Sequence, residues 1–200
     1  VTANTTALTI TSATKSWTYD GTTHTEEVYT VTYNGTAVEA DATGKVFTLP
    51  TNDTITITAT AAGVKFVSDT AENNNTYTYV LTNADQYTSV SATYGTLSIT
   101  QKDLTITADS DEKAYDGTAL TKNSYTNTAL ATGDTIESVT VTGSQTEVGS
   151  SDNVPSAAVI KNGDGVDVTA NYNITYANGT LTVTANTTAL TITSATKSWT

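Results

Sequence analysis

The sequence predicts an all-β protein with two related, small antiparallel β-sandwich-like domains per repeat, arranged end to end as an elongated rod. Thr accounts for 50 of the 200 residues, beside Val, Ile and Tyr, and such β-branched and aromatic side chains favour strands. Apolar and polar residues alternate in short runs, which is typical of antiparallel strands with one buried face. Residues 1–18 (VTANTTALTITSATKSWT) recur unchanged as residues 183–200, which defines a period of 182 residues.

Short alternating runs mark the predicted strands along the chain. They are Leu8/Ile10, Val28/Tyr29/Thr30, Ile55/Ile57, Val64/Phe66, Tyr77/Tyr79, Leu97/Ile99, Leu104/Ile106, Val139/Val141, Ile174/Tyr176 and Leu181/Val183. Asp-Gly and Asn-Gly pairs, which suit turns with positive φ, predict the connections between several of them. These pairs are Asp20-Gly21, Asn34-Gly35, Asp116-Gly117, Asn162-Gly163 and Asn178-Gly179.

A weaker repeat inside the period predicts the domain boundaries. LTITSATKSWTYDGT (8–22) resembles LTITADSDEKAYDGT (104–118), and YGTLSIT (94–100) resembles NGTLTVT (178–184). The first domain is therefore predicted over 1–101, with its core from about residue 8, and the second over 102–184. Residues 185–200 would begin the next copy of the first domain. The junctions are short and lack linker composition, and their odd spacing predicts a bulge or turn at each.

The charge and composition exclude several classes of function. The formal net charge is −12, from 20 acidic residues and eight lysines, with no arginine. Nucleic acids and anionic membrane surfaces are recognised by clustered cations, so neither is an expected partner. The absence of cysteine removes a disulfide framework and thiol chemistry. No cofactor is predicted.

No group of residues predicts catalysis, so the chain is not expected to be an enzyme. His24 is the only histidine, in a polar stretch, and the pair Glu26-Glu27 would point to opposite faces of a strand. The stretch 162–167 (NGDGVD) lacks the rest of an EF-hand loop, so a turn is the better interpretation. Calcium between domains stays open, as does a covalent bond from Lys65 to an asparagine.

The motif YDGT occurs once in each predicted domain, at residues 19–22 and 115–118. We interpret Tyr19-Asp20-Gly21 and Tyr115-Asp116-Gly117 as tight structural turns. In such turns Gly accepts positive φ, Asp bonds nearby amides and Tyr packs on the sheet. A recurring binding spot is the alternative. Trp17 is a candidate exposed contact residue: it would stack on a sugar, or cover a domain junction or sheet edge.

The YDGT turn after LTIT, the ending NYNITYANGTLTVT and the stretch between them resemble the YDG- and MBG-type repeats of large bacterial surface proteins. The resemblance is close along the second domain and looser in the middle of the first. It implies an extracellular, mostly β stalk or adhesin, attached to the cell wall through a region outside this segment. It implies no catalytic residues.

Two functions follow as hypotheses. The first is a structural stalk or filament segment, whose partners are neighbouring repeats of the same chain or identical chains in a fibre. The second is an adhesin repeat that binds host glycan or protein through exposed aromatic side chains. The candidates for that surface are Trp17, Tyr29, Tyr33, Tyr77 and Tyr79.

Overall fold

A computed structural model describes residues 2–199 of the chain and confirms the all-β class. The strands of the first half are β1 (Leu8–Ser12), β2 (Lys15–Thr18), β3 (Tyr29–Tyr33), β4 (Thr36–Val38), β5 (Val46–Thr48), β6 (Thr54–Ala59), β7 (Tyr77–Leu81), β8 (Val90–Thr93) and β9 (Leu97–Thr100). Those of the second half are β10 (Lys102–Ala108), β11 (Asp111–Ala114), β12 (Tyr125–Asn127), β13 (Thr135–Thr142), β14 (Gly149–Lys161), β15 (Tyr172–Ala177) and β16 (Gly179–Thr184). Between residues 2 and 199 the helical elements are three single 3₁₀ turns, at Val67–Asp69, Ala84–Gln86 and Thr169–Asn171.

The chain forms two compact units. Unit 1 comprises the chain up to Asp103 with Leu130–Thr135 and Ile160–Asn173, and unit 2 comprises Leu104–Ala129, Ile136–Val159 and the chain from Ile174. The predicted domains 1–101, 102–184 and 185–200 are defined by sequence similarity, and their boundaries stay predictions. Positions 1 and 200 of those ranges lie outside the described residues.

Unit 1 is organised around β1, which lies inside a sheet of order β4-β3-β1-β8. Its alternation of apolar and polar residues sends Leu8 and Ile10 into the core, where both are almost fully buried. Thr9 and Thr11 face away from the core, and Thr9 shares a 2.6 Å hydrogen bond with Thr32 on β3. The sheet β5-β6-β7 supplies further side chains to this core.

Several strand pairs of the described residues are parallel, whereas the sequence predicted antiparallel sheets. Strand β1 runs antiparallel to β3 but parallel to β8. The pairs β2 with β9 and β11 with β16 are also parallel. Period-2 alternation reports which face of a strand is buried but not the direction of its neighbour, so these pairings left no signal in the pattern.

The backbone contains one of the predicted turns but lacks one of the predicted strands. The Asn34-Gly35 pair forms the expected two-residue hairpin between β3 and β4, with φ of 48° and 75°. The strand predicted at Val64/Phe66 is wrong. Val64 makes only an isolated bridge to His24, and a 3₁₀ turn follows Phe66. Asp69 Oδ2 accepts hydrogen bonds from the amides of residues 65 and 66, which holds the chain in this turn.

Strands β10 and β16 carry buried apolar side chains of unit 2, and Leu120 packs with those of β16. Strand β10 buries Leu104 and Ile106, and β16 buries Leu181 and Val183. Strand β16 lies between β11 and β14 in a sheet of order β11-β16-β14-β13. From Leu104 on in β10, and along β16, every second residue is apolar and buried, as the alternation predicted.

The segment 185–199 contains no strand, although it repeats the sequence that forms β1 and β2. Leu190 and Ile192 are each 86% exposed, whereas their counterparts Leu8 and Ile10 are 2% and 0% exposed. Because the sequences are identical, the difference comes from the partners of β1, the strands β3 and β8, whose counterparts are not among these 200 residues.

Candidate functional site

The two YDGT motifs form the same hydrogen-bonded turn. Asp20 Oδ1 accepts hydrogen bonds from the amide and hydroxyl of Thr22, at 2.8 and 2.7 Å. Asp116 Oδ1 accepts the equivalent pair from Thr118, at 2.9 and 2.8 Å. Each Asp therefore caps the backbone two residues later, in the manner of an Asx turn.

Each tyrosine of the motif is fixed by the last strand of its half. The amide of Tyr19 donates to the carbonyl of Thr100 at 2.9 Å, and the amide of Tyr115 donates to that of Thr184 at 2.8 Å. In both places the tyrosine follows a strand that pairs parallel with the closing strand, β2 with β9 and β11 with β16. The two turns are thus equivalent in their backbone surroundings.

The surroundings of the two tyrosine side chains differ. Within unit 1 Tyr19 is buried, and its hydroxyl donates a 3.0 Å hydrogen bond to Asp134 Oδ2. Tyr172 donates a 2.7 Å bond to the same oxygen and accepts one from the amide of Ala131. The rings of Tyr19 and Tyr172 meet edge to face at 5.5 Å. Tyr115, in unit 2, is half-buried against Leu120 and β16.

The pKa shifts at the two turns differ in the same way as their burial. Burial is the main cause that raises the pKa of Tyr19, and the hydrogen bond to Asp134 raises it further. Burial likewise raises the pKa of Tyr172. At the second turn the Lys113 ammonium bonds Asp116 and lowers the pKa of that carboxyl. The first site is a buried polar cluster, and the second is a solvated ion pair.

The two motif glycines also have different neighbours. Both have positive φ, 83° at Gly21 and 79° at Gly117, which favours glycine at each turn. A Cβ added at Gly21 would lie 2.5 Å from the carbonyl oxygen of Thr132, whereas one added at Gly117 would meet nothing within 4 Å. The amide of Thr132 donates to the carbonyl of Asp20 at 3.2 Å, which closes this contact within unit 1.

Sequence reasoning missed the residues that receive the first turn. Asp134 ends the stretch Leu130-Ala-Thr-Gly-Asp, and the first half contains a matching stretch, Leu49-Pro-Thr-Asn-Asp. Asp53 of that stretch accepts a 2.5 Å hydrogen bond from Tyr87, as Asp134 does from Tyr172. The signal was present as LxTxDTI in both halves, but seven residues are too few to stand out from a Thr-rich background.

Trp17, the candidate contact residue, lies half-buried on β2. Its ring stacks on His24 with centroids 5.0 Å apart and an interplanar angle of 16°. His24 Nε2 lies 3.1 Å from Asp20 Oδ1, and the Lys15 ammonium lies 5.3 Å from the Trp17 ring centroid. One face of the indole is therefore covered by the chain itself.

The set of aromatic side chains considered for adhesion is not an exposed surface, which corrects that expectation. Tyr29 is 8% exposed and Tyr77 is 3% exposed, and their rings meet edge to face at 5.5 Å in the core. Tyr33 and Tyr79 are partly buried against the same core. Alternation placed these tyrosines on one face of their strands, and that face is the inner one.

The remaining candidate groups have local structural partners. Asn162 Oδ1 accepts hydrogen bonds from the amides of Asp164 and Val166, so the NGDGVD stretch forms a turn around its own side chain. Lys65 lies over the ring of Phe66, at 5.4 Å from its centroid. Among residues 2–199, no three His, Asp or Glu side chains come together as a metal site.

Comparisons with known proteins address the second half of the chain. No curated protein and no solved structure matches the chain. No helix in the described residues is long and apolar enough to cross a membrane. MBG domains occur in surface proteins and form a repeat family without enzymatic activity. The resemblance to MBG-type repeats is confirmed for residues 104–182, which match the family model of the MBG domain (YGX type).

Proposed function

We propose that this chain is a structural segment of an extracellular bacterial stalk or filament, built from tandem copies of its 182-residue period. The observation that carries the proposal is the identity of residues 1–18 and 183–200. Conservation of the inner face alone would keep only alternate residues of a strand, but here the solvent-facing threonines are repeated too. Tandem copies of one unit supply length and reach.

The direct connection between strands supports stiffness as the mechanical property. Only Gln101 separates β9 from β10, and its side chain donates hydrogen bonds to the carbonyls of Ala170 and Tyr172 within unit 1. A Gly- or Ser-rich linker would let successive domains move freely. A hydrogen-bonded, single-residue connection limits that freedom, so each domain adds a fixed increment of length.

Location and partners follow from the same proposal. The similarity of residues 104–182 to MBG domains, which occur in surface proteins, supports an extracellular position. Attachment to the cell wall would come from a region outside these 200 residues. The partners are neighbouring repeats or identical chains in a fibre, and the net charge of −12 keeps adjacent copies soluble.

Small-angle X-ray scattering on chains of one, two and three periods tests the stalk. The proposal expects the maximum dimension to increase by a constant amount with each added period. A maximum dimension that grows only as the cube root of the mass would show that the repeats collapse into a globule, and the stalk would be wrong.

A further inference from the structure

We propose that Thr51, Asp53 and Tyr87 form a docking site for the Tyr115-Asp116-Gly117 turn of a second copy of this chain, the copy that precedes it in the array. The inference rests on the proposed tandem array and names the surface through which successive periods meet. Four observations lead to it. The YDGT turn at Tyr19 is already docked within unit 1, on a receiving half formed around Asp134. A second receiving half, around Asp53, and a second inserting half, the turn at Tyr115, have no such partner in unit 1 or unit 2, and a short stretch of chain would join them.

The filled example shows which contacts a YDGT turn makes when it is received. Tyr19 donates to Asp134, the amide of Thr132 donates to the carbonyl of Asp20, and Gly21 lies against the carbonyl of Thr132. The receiving half thus consists of a Thr-x-Asp turn and a tyrosine, Tyr172, that bonds the same carboxylate. All these residues belong to unit 1.

The same receiving half occurs once more in unit 1, around Asp53. Tyr87 donates to Asp53 Oδ2 at 2.5 Å and shares a 2.6 Å hydrogen bond with Thr51. Tyr87 follows a 3₁₀ turn, as Tyr172 does, and Asn52 has the positive φ that Gly133 has in the filled site. Thr51 is exposed and Asp53 only half-buried, so this turn is open to a partner.

The inserting half is repeated at Tyr115. Its backbone is held as that of Tyr19 is, and Asp116 caps Thr118 as Asp20 caps Thr22. Gly117 has open space at the position where Gly21 meets a carbonyl. A basic side chain lies beside each Asp of the motif: Lys113 bonds Asp116, and His24 Nε2 lies 3.1 Å from Asp20 Oδ1.

The short connection between periods would bring the Tyr115 turn of one copy close to the Asp53 turn of the next. Thr184 accepts the amide of Tyr115, and residue 186 corresponds to Asn4, which pairs with Tyr87 through backbone hydrogen bonds on both sides. Only residue 185 lies between these two anchors, which are therefore about 7 Å apart along an extended chain. In the filled site the connection is shorter by one residue, because the adjacent residues Thr100 and Gln101 contact Tyr19 and Tyr172 respectively.

The receiving half departs from the filled example at Pro50 and at Asp53, whose Oδ1 also accepts a 2.7 Å hydrogen bond from Asn83. Ala131 donates its amide to Tyr172, but its counterpart Pro50 has no N–H. The Thr51 hydroxyl bonds Tyr87 instead, so the tyrosine keeps two partners and its orientation toward Asp53. The contacts that the incoming turn would use, the Asp53 carboxylate and the Thr51 amide and carbonyl, are unaffected.

Amide hydrogen exchange in a chain of two periods, residues 1–182 followed by residues 1–200, tests the docking. With segmental isotope labelling, Thr51 of the second period, which has a preceding copy, is compared with Thr51 of the first, which has none. Docking adds a hydrogen bond from this amide to Asp116, so its exchange should be slower by about tenfold in the second period. Equal exchange rates in the two periods would overturn the inference.

A glycine substitution supplies the matched control. Gly117→Ala in the first period would place a Cβ against the docked Thr51 carbonyl and should return the second-period Thr51 to the faster rate. The same substitution in the last period imposes the same strain at positive φ, but no later Thr51 docks on that turn. Both exchange rates should therefore stay unchanged. Tyr115→Phe in the first period, which removes one hydroxyl, should weaken the protection. Protection that survives the first-period glycine substitution would also refute the docking.

These outcomes are independent of the test of the stalk. If scattering shows an extended chain but Thr51 is unprotected, the stalk stands and the docking site is wrong. If Thr51 is protected but the two-period chain is globular, the docking stands and the stalk is wrong.

Discussion

Replacing Asp134 by alanine tests the buried cluster that holds the first YDGT turn. Asp134 is 9% exposed, and its Oδ2 accepts hydrogen bonds from Tyr19 at 3.0 Å and from Tyr172 at 2.7 Å. Both tyrosines are buried, so in Asp134→Ala their hydroxyls would lose this acceptor without gaining water. We expect a large loss of stability from a change that removes few atoms.

The size of the expected loss of stability follows from the two tyrosine hydroxyls. Leaving a buried polar group unsatisfied costs about 1–3 kcal/mol, so two such groups cost about 2–6 kcal/mol. Removing the carboxylate also removes its own desolvation penalty, which offsets part of this cost. We expect the free energy of unfolding to fall by about 2–3 kcal/mol. Tyr19→Phe, which removes one bond and leaves no orphan hydroxyl, should cost about 1 kcal/mol.

Urea unfolding followed by tryptophan fluorescence measures this loss. A Trp199→Phe background leaves Trp17, which lies in unit 1, as the sole reporter. The matched control is Asp53→Ala, which removes an equivalent but only part-buried tyrosine–aspartate bond and should shift the midpoint less. The reasoning is refuted if Asp134→Ala unfolds within about 0.5 kcal/mol of the parent chain, or if Asp53→Ala shifts the midpoint more.

Four further outcomes are expected. Ile10→Ala, at a fully buried position of β1, should lower the free energy of unfolding by about 2–5 kcal/mol in a denaturant titration. Gly95→Ala would place a Cβ 2.2 Å from the carbonyl oxygen of Ala13, and calorimetry should show a cost of about 1–3 kcal/mol. Burial raises the pKa of Tyr77 from 10.0 to about 12, so its contribution to stability is complete below pH 10. Unfolding temperatures measured against pH should fall between about pH 10 and 12, and less so in Tyr77→Phe. Deleting residues 185–200, where the large apolar side chains are exposed, should leave the unfolding temperature unchanged.

Alternation in the sequence correctly predicted most of the inner faces. Leu8 and Ile10 on β1, and Leu181 and Val183 on β16, are buried as their period-2 pattern indicates. The pattern works here because each of these strands has one face on a core and one face in solvent. It failed at Val64/Phe66, where hydrogen bonds from the side chain of Asp69 hold the backbone in a turn.

The partners of the strands could not be predicted in the same way. Parallel pairing of β1 with β8 joins residues about 80 positions apart, and no local pattern encodes such a choice. The alternation of β3 and β7 places Tyr29 and Tyr77 on the faces opposite Thr30 and Thr78, but the pattern does not show which strands form the core that covers those faces.

The candidate site, too, could be predicted from the sequence only in part. The YDGT turns were recognised because Asp and Gly have strong local preferences, and their backbone hydrogen bonds are local. The acceptor Asp134 is 115 residues from Tyr19, in a stretch without unusual composition. It becomes recognisable only when the structure shows that Asp53 and Tyr87 repeat the same arrangement.

The proposed stalk requires that successive repeats are rigidly connected, and ¹⁵N relaxation of a two-period chain tests this most directly. A rigid connection predicts order parameters of about 0.85, like those of the strands, for amides at the junction 97–104 of the first period and at the junction 183–190 between the two periods. Both periods would also share one anisotropic rotational diffusion tensor. Junction order parameters below about 0.6, with a separate correlation time for each period, would contradict it.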